Sequence, residues 1–83
     1  MRKELETLEK ILNTMVKRKY PNDVLKIEII DELIFDQVYD VRVYVILEKY
    51  ESLYKWEEME QMVKNIARFS GVKINRVISA QEQ

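Results

Sequence analysis

Apolar positions along this chain recur first every three or four residues, then every second residue, then every three or four again, and finally every second. The first period marks one face of a helix and the second a half-buried strand. Leu5, Leu8, Leu12 and Met15, widened by Ile11 and Val16, predict a helix over 3–19. Glu4, Glu6 and Glu9 come early in it and Lys17, Arg18 and Lys19 late, which suits the helix dipole. Pro21 stops it and biases Tyr20 out of the helical region.

Two strands follow, over 24–34 and 38–47. In the first, Leu25, Ile27, Ile29, Leu33 and Phe35 share one parity and form the expected core face, interrupted by Asp31. In the second, Tyr39, Val41, Val43, Val45 and Leu47 form it. Paired residues lie on the same face of a sheet, so odd positions must meet odd positions. A two-residue turn at Asp36-Gln37 would pair Phe35 with Val38 and break that rule. The expectation is therefore an odd loop such as Phe35–Gln37, or a bulge near Asp31.

Trp56, Met59, Met62, Val63, Ile66 and Phe69 predict a second helix over 52–70, with Ser52 as N-cap and Gly71 as left-handed stop. Glu60 and Lys64 form a favourable pair one turn apart on it. A third strand is expected over 72–79, where Val72, Ile74 and Ile78 share a face with Arg76, and the tail Ala80–Gln83 is expected to fray. Two amphipathic helices and three strands in the order α-β-β-α-β assemble as one α+β domain over 1–83. It is a two-layer sandwich: a three-stranded mixed sheet with both helices on one face. A right-handed crossover sets the third strand parallel to the second. Its expected place is beside the first strand, with the place beside the second as the alternative.

Composition narrows the chemistry. The 83 residues hold no cysteine, no histidine, one glycine and one proline. Thiolate and imidazole metal sites, disulfides, catalytic triads and glycine-rich phosphate loops are all excluded, and no cofactor is expected. With 47% apolar and 35% charged residues the chain is globular. A domain of this size buries only roughly 60% of its extended surface, which makes self-association a natural source of stability. The net charge of −1 is unevenly spread: residues 1–20 carry +3, 21–40 carry −5, 41–60 carry −2 and 61–83 carry +3. Met1–Glu6 holds no apolar run, and the longest one anywhere, Val43–Leu47, falls far short of the ~20 residues of a membrane span. The expected location is cytoplasmic, with no membrane partner.

Three sets of residues are candidates for function. The carboxylates Asp31-Glu32, Asp36-Asp40 and Glu57-Glu58-Glu60 are the available acid-base groups. A paired-carboxylate site needs a cleft that separates them by about 5–9 Å, and so short a chain has little room for one. No Asp-x-Asp-x-Asp-Gly loop supports a hard-metal site at the hairpin, so the reading is non-enzymatic. The basic residues Lys17, Arg18, Lys19, Lys64, Arg68, Lys73 and Arg76, with Tyr20 as a stacking platform, are candidate nucleic-acid contacts. Any such binding is expected to be weak and salt-dependent, because the whole chain is acid-balanced. Ile30, Ile34, Val38, Tyr44 and Ile46 fall on the sheet face away from the helices and are the expected dimer interface.

The element order resembles that of type II KH-like modules. It is also similar to the C-terminal cytoplasmic domain of cation-diffusion-facilitator transporters, through the alternating Tyr39–Leu47, the Glu51-Ser52-Leu53 start of a helix and Val72 to Ile78. The second resemblance implies a dimer that holds metal through histidines, but Glu57 stands where the helix histidine is expected. The first implies nucleic-acid binding through a Gly-x-x-Gly clamp, but Gly71 is the sole glycine. The function expected from the sequence is a small interaction module that self-associates and engages a further protein. The alternative is a KH-like nucleic-acid-binding accessory protein.

Overall fold

A computed structural model describes residues 1–82, which form α1 (Lys3–Lys19), β1 (Val24–Phe35), β2 (Val38–Leu47), α2 (Leu53–Phe69) and β3 (Arg76–Gln81). The sheet order is β1-β2-β3, with β1 antiparallel and β3 parallel to β2. The expected α+β sandwich with a mixed three-stranded sheet is therefore present. The placement of the third strand needs correction, because β3 lies beside β2 and not beside β1. The reason is that α1 occupies the outer edge of β1. The Asn13 carboxamide accepts the Ile27 N–H at 2.9 Å and donates to the Ile27 carbonyl at 2.8 Å, as a neighbouring strand would. The Glu9 carboxylate accepts the Ile29 N–H at 2.8 Å.

The core lies between the helices and the odd face of the sheet. Leu5, Leu8, Leu12 and Val16 from α1 meet Met59, Val63 and Ala67 from α2 over Ile27, Ile29, Val41, Val43, Val45 and Leu47. Two positions read as helix-face core lie outside it. Val16 takes the place expected of Met15, which is exposed, and the buried line of α2 runs 59-63-67 and leaves Phe69 93% exposed. Val24 is buried where Leu25 was expected, because the ladder shifts register between Val24 and Lys26 and Leu25 is the bulged residue.

The hairpin resolves its parity conflict with a second bulge. The two-residue Asp36-Gln37 turn forms and pairs Phe35 with Val38, but the register shifts between Leu33 and Phe35. Ile34 is the extra residue, and from Leu33–Tyr39 inward odd positions meet odd positions as far as Ile27–Val45. The bulge thus sits three residues from Asp31, where it was expected, and directly beside the turn. Gln37 closes the turn in the left-handed region, at φ 67°.

Helix α2 begins and ends as its sequence signals require. The Ser52 hydroxyl accepts the Lys55 N–H, and Gly71 stands at φ 71°. The Val72 N–H reaches the Ala67 carbonyl and the Gly71 N–H the Arg68 carbonyl, each at 3.0 Å, which is the Schellman closure. That closure is why β3 does not begin at residue 72. Val72 belongs to the helix stop, and Asn75 exchanges two 2.8 Å hydrogen bonds with the Val41 backbone before the ladder starts at Arg76. At the other end Ala80 and Gln81 pair with Ile46 and Leu47, so the tail expected to fray from residue 80 is strand through Gln81. Among the described residues no helix is long and apolar enough to cross a membrane.

Two substitutions test these assignments by chemical denaturation. Asn13→Ala leaves the partly buried Ile27 backbone groups unpaired and is expected to cost about 1–3 kcal/mol. Gly71→Ala meets no steric obstacle, since nothing lies within 4 Å of the added Cβ. It is expected to cost only about 1 kcal/mol, the strain of a left-handed alanine.

Candidate interaction surface

The length of the elements sets which surface is covered. Seventeen residues of α1 rise ~26 Å, whereas twelve residues of β1 extend ~40 Å. About four strand residues must therefore project beyond the helix. Arg2, just before α1, bonds to Asp31 at 3.3 Å, and β3 pairs with β2 only from Arg42 inward. Past these points the hairpin has neither helix over it nor strand beside it. Leu33, Ile34, Phe35, Val38 and Tyr39 are all exposed there, Phe35 at 73%. Leu33 and Phe35 were read as core from their parity. Leu33 points to the face that carries the core, but at a depth the helix does not reach, while the bulge at Ile34 turns Phe35, with its partner Val38, to the opposite face.

The five expected interface residues do not form one patch. Ile34 and Val38 lie at the projecting tip, at 61% and 52% exposure, and Ile30 is exposed midway along β1. Tyr44 is half-buried and Ile46 only 9% exposed, near the other end of β2. A layer of ion pairs separates the two groups. Arg42 bonds to Glu32 at 2.5 Å and lies 3.4 Å from Asp40, Arg76 reaches Asp40 at 2.6 Å, and the Arg42 guanidinium covers the Tyr44 ring. Beside Tyr44 and Ile46 stand Ile78 and Ala80 of β3.

The basic candidates are also divided. The two helices run antiparallel: Lys19 pairs with Glu58 near the start of α2, while Glu4 shares a groove with Gly71 and Lys73 just past its end. Lys17, Arg18 and Lys19 thus lie at one end of the helical layer. Lys64, Arg68, Lys73 and Arg76 surround a groove with Val72 and Ile74 at the other. Tyr20 is not a stacking platform. Its ring is buried in the core and its hydroxyl donates to Glu58 at 2.5 Å. Burial, helped by that carboxylate, pushes the hydroxyl pKa up to about 12, and the same bond holds Glu58 below the usual carboxylate range.

Of the carboxylate candidates, Asp31, Glu32, Asp40, Glu58 and Glu60 each face a basic partner. Among the described residues no three acidic side chains are grouped to hold a metal ion. A cluster that the sequence reading did not single out is Asp23, Glu51 and Lys55, where the chain crosses from strand to helix. Lys55 donates to Asp23 at 3.0 Å, which holds the Asp23 carboxyl below its ordinary range. The Glu51 side chain is 6% exposed and its Oε1 has no hydrogen-bond partner. Burial first, and then Asp23, raise its pKa. Residues this far apart along the chain carry no sequence signal of their meeting.

The two shifts act in opposite directions on stability. Asp23 stabilises the fold above its unfolded pKa, an effect lost as pH falls. Glu51 stabilises it only below its unfolded pKa, and that contribution is lost as pH rises through the folded value. Glu51→Gln removes a carboxylate that resists ionisation, and is expected to raise Tm by a few degrees at pH 7 and leave it unchanged near pH 4 in scanning calorimetry. No family model, curated protein or solved structure matches this chain.

Proposed function

We propose that this domain is a non-enzymatic interaction module that self-associates and engages a further protein through surface its own helices leave uncovered. The observation that carries this reading is a sheet with more apolar surface than its own helices cover: Leu33, Ile34, Phe35, Val38 and Tyr39 stand exposed together. Contiguous exposed apolar side chains of this kind mark protein-interaction surfaces. The carboxylates support the same reading, since most are neutralised by basic partners rather than gathered in a cleft. So does the division of the basic residues between two ends of the molecule, because a nucleic-acid backbone is gripped by a continuous basic track.

Sedimentation velocity at tens of micromolar tests the association directly. The expected species has twice the 10.1 kDa chain mass. A 10.1 kDa species under those conditions overturns self-association. Sequence-selective oligonucleotide binding that persists at physiological salt would replace this reading with the nucleic-acid one.

A further inference from the structure

The two edges of the sheet are built differently. On β1, side chains of α1 bond to the outward backbone groups of Ile27 and Ile29, and Asp31 carries a salt bridge to Arg2. Capping groups and charges of this kind keep an edge strand from recruiting another strand. On β3, the stretch Val77–Gln81 has no charge, no proline and no register shift. No side chain among the described residues bonds to its backbone, and its only ladder partner is β2. That edge presents unpaired N–H and C=O groups to solvent.

Building on the self-association reading, we infer that the β3 edge pairs antiparallel with β3 of a second copy about a two-fold axis through Ser79. The register follows from two requirements. Opposite residues must share a face, so the axis must pass through a residue and not between two. Of the possible centres, only Ser79 brings the charges at the strand ends together, setting Arg76 opposite Glu82 of the partner subunit at both ends of the seam. The same register sets Ile78 against Ala80 of the partner subunit, a large side chain against a small one. A centre at Ile78 sets Arg76 against an alanine, and a centre at Ala80 leaves it beyond the paired strand.

The product is a continuous six-stranded sheet. On its outer face Tyr44, Ile46, Ile78 and Ala80 of each copy flank the seam. Two members of the expected interface, Tyr44 and Ile46, thus border the seam, while Ile34 and Val38 stay at the free hairpin tips. In the single chain Arg76 faces Asp40 at 2.6 Å and Glu82 faces Lys26 at 3.4 Å.

The chain has no cysteine, so Ser79→Cys introduces a lone thiol on the axis. Directly opposed strand residues lie about 4.5–5.5 Å apart at Cα, within disulfide reach. Gln81→Cys is the control, since the two copies of residue 81 are offset by four residues, about 13 Å. Under mild oxidation Ser79→Cys is expected to form the covalent dimer and Gln81→Cys to remain uncross-linked. A charge exchange gives a second measurement. Arg76→Glu and Glu82→Arg are each expected to weaken the dimer about tenfold by turning both end pairs repulsive, and the double variant to recover it. Inside one chain the double variant sets Glu against Asp40 and Arg against Lys26, so a gain in folding stability cannot account for that recovery. A native dimer whose residue 79 cross-links no better than residue 81, or whose exchanged pair does not recover, overturns the β3 seam and leaves self-association standing. A native monomer overturns both.

Discussion

A helix rises about 1.5 Å per residue and a strand about 3.3 Å, and the surface of this protein follows from that inequality. Helix α1 and strand β1 differ by only five residues in length, yet the strand is longer by about half the length of the helix. The helical layer covers Val24 to Ile29 on β1 and Val41 to Leu47 on β2, where the buried positions lie. Beyond it the alternation of the strands continues with no layer to receive it. The hairpin is held in extended form by the ladder to β2 alone, and its tip carries large apolar side chains on both faces. Exposure of this kind is a property of packing geometry, since Leu33 has the same face and chemistry as Ile27 and Ile29, which are buried.

Asparagine side chains decide where strands may pair. Asn13 supplies a donor and an acceptor to Ile27 from the helix, and Asn75 does the same for Val41 with its own N–H and side-chain oxygen. A carboxamide carries both groups, so it can substitute for a peptide unit at a strand edge without continuing the sheet. With β1 closed in this way, the incoming third strand has only the far side of β2 to join. The asymmetry between a closed edge and an open one is thus set by Asn13 and Glu9, two polar residues of α1.

Charge organises the outer face in a comparable way. Glu32, Arg42, Asp40 and Arg76 form a connected layer across all three strands, half-covering Tyr44 and dividing the apolar residues of that face. The Asp23, Glu51 and Lys55 group ties the start of β1 to the start of α2, with one carboxylate satisfied and the other held against its ionisation. Of these groups the layer around Arg42 is the one that divides the apolar side chains of the outer face.

The sequence alone determined the elements and their order, because periods of 3.6 and 2 are local properties of the chain. It also determined the caps at Ser52 and Gly71, which act within one turn, and the need for either an odd loop or a bulge in the hairpin, since parity cannot be broken over a buried face. The absence of histidine and cysteine excluded whole classes of chemistry before any fold was known. The tertiary structure alone decided the strand order, through the hydrogen bonds from Asn13 and Glu9 to a strand more than a dozen residues away. It alone decided that Phe69 and Met15 lie outside while Ala67 and Val16 lie inside, because the angle at which each helix meets the sheet selects among neighbouring stripes. Most of all it decided that Leu33 is surface, that Phe35 leaves the core face at the bulge, and that Ile46 is covered: parity states which face a residue takes, and only what packs over that face, helix or neighbouring side chains, states whether it is covered.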